Sequence, residues 1–412
     1  MSVAQDRPAG RPRVAPSSTE KLVFAVASGL GVGYAVCFAA LCARHALFFD
    51  GAGHPMLMDF TQFWAAGGLA LHGNAIGAYD PRFLHAAESS AVGHPLTHFI
   101  EWFYPPSFLF AAMALAYFPA LTAFILWTTG TLVVQAGIVA GIAKRGAAAF
   151  VATAPPWVML GTLTGQDGLF SAAIIGGVLL TLERRPVLSG ILLGLLSYKP
   201  QLGVLFPVAL AFGGYWRAFF WACVSTAGLL VLSGATFGFA TWAAFLHGLS
   251  GAAQMHLATN DPAMWPKIQS AYGLARWLGG SAGLAMTLQI LLSAACLLFI
   301  ARLWRSKAAY ALKAAALVAA VPLVTPYEFA YDLPVLSIAI AFLYRDGPFD
   351  RADWFGLAVA LFSVGIFVMH AYPAGLLASG AVGALVCRRL WREKLSRNAA
   401  NRTTAVAIHA PA

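Results

Sequence analysis

Five polar positions stand at the edges of long uncharged runs: Asp59, Gln166-Asp167, Lys199 with Gln201, Gln269-Ser270, and the segment from Tyr327 through Glu328 to Asp332. An ionisable group in such a place is costly to bury, so its presence asks for a chemical reason. Asp59 has two readings: it caps the helix that follows, or it is a general base at a membrane surface. Asp167 likewise caps the next helix or takes part in chemistry, and the adjacent Gln166 amide can hydrogen-bond hydroxyls. In Tyr198-Lys199-Pro200-Gln201 the ammonium either snorkels to the interface or faces an anion such as a phosphate.

Glu328 and Asp332 are spaced i, i+4, which puts both carboxylates on one face of a helix. Such a pair binds a cation, holds a sugar, tethers a basic partner such as Lys199, or caps the next span. Lys267, Gln269, Ser270 and Arg276 supply further donors from one loop, unless that loop is simply solvated. His94 and His98 are also i, i+4, with His72 and His85 nearby in sequence. A metal site needs three or four converging ligands, and these give no firm set.

The elements that must position these groups are apolar helices. Of the 412 residues 60% are hydrophobic and only 10% charged, with a mean hydropathy of +0.73, well outside soluble usage. The chain reads as an all-α polytopic membrane protein. Spans fall at 22–48, 106–143, 147–164, 168–182, 187–198, 200–215, 217–236, 283–303, 308–325, 328–344, 354–371 and 373–390, giving about twelve crossings. The 106–143 stretch is long enough for two. Reading it as two would move Lys144/Arg145, Arg184/Arg185, Arg302/Arg305/Lys307 and Arg388/Arg389 to the outer face, against the positive-inside bias. One net crossing is therefore expected, with Pro106 to Pro119 re-entrant or interfacial.

This topology leaves residues 1–21 as a disordered cytoplasmic tail, 22–390 as the membrane domain and 391–412 as a second cytoplasmic tail. Two outer segments, Asp50 to Pro105 and Phe237 to about Ala282, carry interfacial helices. One is marked by Phe60, Phe63, Trp64, Gly67, Gly68 and Leu71 at helical spacing. Trp102, Phe103 and Tyr104 fit an interfacial aromatic belt.

The net charge of +10 is spread over short loops and tails, which speaks for membrane lipids as partners and against nucleic acid. Cys37, Cys42, Cys223, Cys296 and Cys387 have no metal-type spacing and read as small core residues. No inner loop can house a nucleotide-binding domain of about 100 residues, and no P-loop or dinucleotide fingerprint is present.

The polar pieces resemble, in order, glycosyltransferase family 87 of the membrane GT-C superfamily, which uses polyprenol-phosphate-mannose. The pieces are Asp59-Phe60, Tyr79-Asp80-Pro81, Tyr104-Pro105-Pro106, Gly165-Gln166, Lys199-Pro200-Gln201, Gln269-Ser270, and Pro326-Tyr327 through Tyr331-Asp332-Leu333. The resemblance implies a GT-C-type helical bundle that moves one hexosyl group, with inversion, from a polyprenyl-phosphate sugar to a periplasmic lipid or glycan acceptor. It makes Asp59 the base, without cofactor or metal. Lys199, Gln201, Gln166 and Asp167 then serve the donor; Tyr104, Gln269, Ser270, Tyr327, Glu328 and Asp332 serve the acceptor or the sugar. Some relatives carry His in the late Pro-rich motif where this chain has Tyr327 and Glu328. The expected place is the cell inner membrane, with the site facing the periplasm. The competing reading is a transporter or flippase of lipid-linked sugars, against which stand the long outer loops and the lack of a visible internal repeat.

Overall fold

The computed structural model describes residues 18–44, 58–96, 100–145, 147–257, 261–369 and 372–408. These are helical almost throughout, with no strand among the described residues. The helices run α1 Ser18–Ala43, α2 Thr61–Leu71, α3 Pro81–Val92, α4 Leu109–Ala116, α5 Ala120–Ala143, α6 Ala147–Val151, α7 Pro156–Thr164, α8 Gly168–Thr181, α9 Pro186–Leu195 and α10 Pro200–Gly203. They continue with α11 Leu205–Gly213, α12 Trp216–Phe237, α13 Phe239–His256, α14 Ala271–Trp277, α15 Ala282–Arg305, α16 Tyr310–Ala320, α17 Val335–Asp346, α18 Arg351–Met369 and α19 Gly375–Ile408.

Three of them, α5, α12 and α15, are long and apolar enough to cross a membrane. Only 17% of the apolar window of α12 and of α15 is buried inside the protein. Their outer faces, with Phe220, Val231, Ile290 and Leu291 exposed, therefore need lipid. The centre is built instead from shorter helices: most residues of α8, α16 and α17 are buried. Helices broken by Pro200, Pro322 and Pro334 are tolerable there because protein, not lipid, surrounds the interrupted backbone. Against this centre α9 carries Gly190 and Gly194, where a Cβ would fall 2.4 Å from Ala218 O and 2.3 Å from Ser225 Cβ. The small-residue pair lets α12 lie directly on α9, in the manner of membrane helix packing.

The 106–143 stretch does divide where expected, into the short α4, which packs on α2, and the one crossing-length helix α5, separated at Tyr117–Pro119. Several other sequence expectations change. The expected interfacial helix, α2, is interior: Phe63, Ala65 and Ala66 are fully buried. Apolar residues at i, i+3 and i+4 suit a protein core as well as a bilayer surface, and the contacts of α2 with α3 and α4 decide for the core. Trp102 is buried too, at 6.0 Å from Phe63 and stacked on Phe108, rather than part of a belt. Cys223 and Cys387 are exposed, because they fall on outward faces of α12 and α19, not in the core. The last helix continues unbroken across residue 390 to Ile408. Residues 1–17, Asp50 and His98 lie outside the described residues.

Candidate active site

Helix ends and short turns bring the polar pieces together. Gly165 ends α7 with φ of +67°, and a Cβ there would meet Phe60 Cβ at 2.7 Å. That left-handed turn, which glycine adopts without strain, throws Gln166 and Asp167 off the helix end. A Cβ on Gly168 would sit 1.6 Å from Tyr331 O. Only glycine lets the start of α8 touch the 331–332 backbone, and this contact sets Asp167 opposite Asp332.

Asp167 occupies the N-cap position of α8, yet its side chain makes no capping bond. It instead accepts from Lys199 Nζ at 2.7 Å, and Asp332 Oδ1 accepts from the same ammonium at 2.5 Å. Lys199 is buried, with Nζ 5.2 Å from the centre of the Tyr331 ring. The snorkelling alternative is thereby excluded, and Asp332 takes the tether role. Asp332 and Glu328 do not share a helical face, since Phe329 is extended and Ala330–Asp332 is a 3-10 turn. Pro326 and Pro334 flank this short turn. Glu328 is fully buried, and neither carboxylate oxygen has a partner among the described residues. Asp167 Oδ2 is likewise unpartnered.

A second chain of hydrogen bonds leads to Asp59. Tyr79 Oη donates to Tyr104 O at 2.8 Å, Tyr104 Oη to Gln166 Oε1 at 3.1 Å, and Gln166 Nε2 to Asp59 Oδ2 at 3.2 Å. Asp59 itself is half-buried in the 3-10 turn Met58–Phe60. Burial raises its carboxyl above the ordinary aspartate value, against the opposing pull of the Gln166 amide and the Lys267 charge. A carboxylate raised in this way is more basic than free aspartate. Aromatic rings wall the space: Tyr104 and Tyr198 stack at 6.3 Å, and Phe108 stacks on Tyr198 at 4.4 Å. Tyr198 Oη and Ser171 Oγ are 2.6 Å apart, which fixes that ring.

The loop before α14 closes the site. Gln269 N donates to Glu328 O at 2.7 Å, and Ser270 Oγ donates to Pro326 O at 2.8 Å while capping α14 through Gly273 N. Gln269 Oε1 accepts from Gly375 N at 2.8 Å. Gln269 and Ser270 are thus fasteners of the Glu328 segment as the structure stands, with side chains already engaged. Tyr327 is half-buried beside Phe329, their ring centres 5.2 Å apart. Gln201, half-buried on α10, has no side-chain hydrogen bond to the described residues.

His94 Nδ1 lies 3.1 Å from Pro95 O, and no group of three His, Cys, Asp or Glu is placed to hold a metal among the described residues. One buried acid went unread in the sequence. Glu88 on α3 is buried, accepts from Ile100 N at 3.4 Å, and is pushed up to about 8 by burial. Its place at i+4 from Leu84, itself buried, was the available signal.

A helical membrane bundle with carboxylates, amides and one buried lysine gathered at helix ends defines a membrane-embedded enzyme class that handles polyhydroxyl substrates. The model of glycosyltransferase family 87 matches residues 102–326, more than half of the chain, and the chain belongs to that family. It is a membrane glycosyltransferase. No curated protein and no solved structure matches it. The matched stretch holds Tyr104, Gln166, Asp167, Lys199, Gln201, Gln269 and Ser270. Asp59, Tyr327, Glu328 and Asp332 lie outside it and join the site through the contacts above.

Proposed function

We propose that the protein transfers a hexosyl group, mannosyl by the family's commonest use, from a polyprenyl-phosphate sugar to a lipid or glycan acceptor, with inversion, at the periplasmic face of the inner membrane. The choice of face rests on the crossings expected from the sequence, with the basic loops taken as inside. The observation that carries the reading is Asp59, held by Gln166 beside the Asp167–Lys199–Asp332 cluster.

In this mechanism the acceptor hydroxyl attacks the anomeric carbon while its proton passes to Asp59. The bond from that carbon to the phosphate oxygen breaks, and polyprenyl phosphate leaves with the electron pair. Lys199 holds Asp167 and Asp332 in place. The open Asp167 Oδ2, with Glu328, Gln166 and Gln201, receives the sugar hydroxyls. The lysine was expected to face the phosphate, but two carboxylates already neutralise it. The phosphate charge falls instead to Lys267, which is exposed and acts electrostatically on Asp59.

The test is turnover of purified protein in carrier-free vesicles. Covalent sugar transfer is expected with a polyprenyl-phosphate sugar as donor. Turnover with a nucleotide sugar alone would refute the donor class, and transbilayer movement of the donor without a product would favour the flippase reading.

A further inference from the structure

The loop bearing Gln269 and Ser270 has its own small core of Trp265, Ile268, Tyr272 and Ala285. Over it opens a cavity of about 470 Å³ lined by Pro262, Trp265, Arg276, Trp277, Gly279 and Gly280. None of the six is acidic. The Arg276 guanidinium lies 4.5 Å from the centre of the Trp265 ring, and Nη1 donates to Gly280 O at 3.0 Å. Its Nε is buried and has no partner among the described residues. A guanidinium set over an indole, with Nε still without a partner among the described residues, belongs to the side chain that suits a phosphate.

The cavity's height in the membrane follows from its neighbour in sequence. Helix α15, long and apolar enough to cross a bilayer, begins at Ala282, two residues beyond Gly280. Trp277 and Leu278 stand 45% and 71% exposed at the cavity's edge. An exposed Trp and Leu beside the mouth of a membrane-crossing helix belong at the headgroup level, where phosphates lie.

We infer that the Arg276 cavity binds the phosphate of a membrane-lipid headgroup, with Trp277 and Leu278 seated among the upper acyl carbons. The site is separate from sugar transfer and does not depend on which donor is used. Its consequence for the active site is mechanical. Ser270 caps α14 and bonds Pro326 O, and Gln269 N bonds Glu328 O. A lipid gripping the end of α14 therefore steadies the segment that carries Glu328.

The test is lipid retention by the full-length purified protein in native mass spectrometry. The probes are phosphatidylglycerol, a phosphate-free galactosyl diacylglycerol, and inorganic phosphate as competitor. Wild type should retain the phospholipid selectively, Arg276→Gln should weaken retention about tenfold as expected for a charge-assisted contact, and Trp277→Ala should weaken it less. Arg302→Gln, at the other end of α15, is the control and should match wild type. Equal retention by wild type and Arg276→Gln, or equal retention of the galactolipid, overturns the proposal. Displacement by inorganic phosphate at the lipid's own concentration would make this a free-anion site and overturn the lipid assignment. Should Arg276→Gln aggregate, Arg276→Lys and exposed Trp277→Ala decide, and wild-type retention in both overturns it.

Discussion

Helix α17 is approached through Asp332 at one end and finishes on Asp346 at the other, about 18 Å away, and an ion cluster sits at each end. At the Asp346 end three arginines meet three aspartates. Arg388 bridges Asp353 at 2.8 Å and Asp350 at 2.7 Å, Arg389 takes Asp353 at 2.7 Å, and Arg392 takes Asp350 at 2.6 Å. Arg389 also donates to Leu343 O at 2.7 Å, closing the C-terminal turn of α17. The arginines hold the Asp350 carboxyl below the usual carboxylate range. At the Asp332 end, Lys199 alone faces Asp167 and Asp332, with Glu328 close by. Asp167 Oδ2 and both Glu328 oxygens are left open.

The difference separates two uses of buried charge. Matched ions, each bonded to an opposite charge, fasten helices α17, α18 and α19 together. A cluster with more acceptors than donors is an expensive arrangement unless a ligand supplies the missing hydrogens. Sugar hydroxyls are such donors.

Removing the sole cation should produce the largest effect. Lys199→Met leaves Asp167 and Asp332 facing each other without compensation, a change that costs about 3–5 kcal/mol when a buried pair is broken. Thermal unfolding in detergent should show the loss, and sugar transfer should vanish. Adding Asp167→Asn and Asp332→Asn to the same chain should recover most of the stability and none of the activity. If the single variant unfolds like wild type, the cluster is not a coupled unit.

Next in size is Asp59→Asn, which keeps volume and an acceptor oxygen but not basicity. Single-turnover rate should fall about 100-fold or more while donor affinity is largely kept. The pH profile supplies the sign. Because burial raises the Asp59 pKa, the base is ionised above that raised value and lost as pH falls through it. The acid limb of kcat should therefore lie above the ordinary aspartate value of about 4. A limb at or below that value, or near-normal turnover in the variant, would reduce Asp59 to a structural role.

Much of this contrast was visible in the sequence, for a physical reason. In a chain with so few charges, any acid or lysine between apolar runs is conspicuous, so Asp59, Asp167, Lys199, Glu328 and Asp332 stood out individually. Their pairing did not, because Asp167, Lys199 and Asp332 come from separate helix ends and nothing local encodes that meeting. The burial of α2 was also illegible, since lipid and protein interior demand the same apolar stripe. The Arg388–Asp353 cluster was read only as positive-inside charge, because counting charges by loop hides which of them are neutralised.

The matched cluster should respond less, and only in stability. Asp353→Asn loses charge-assisted bonds to Arg388 and Arg389, for which about 2 kcal/mol is expected, with turnover per folded molecule unchanged. A fall in kcat of tenfold or more would link the two ends of α17 functionally and break the comparison.

The smallest effect sharpens it. Arg392 is 53% exposed and shares Asp350 with Arg388, so Asp350 keeps a cation when Arg392 is removed. An exposed pair of this kind contributes about 0–1 kcal/mol and is screened by salt. Arg392→Gln should therefore shift the unfolding midpoint barely, and less at 0.5 M than at 0.05 M salt if the pair contributes at all. Lys199 has no such reserve, since no second cation is bonded to Asp167 or Asp332 among the described residues. A large, salt-insensitive loss in Arg392→Gln would mean that the far cluster, like the site, hangs on a single charge, and redundancy would no longer distinguish fastening from binding.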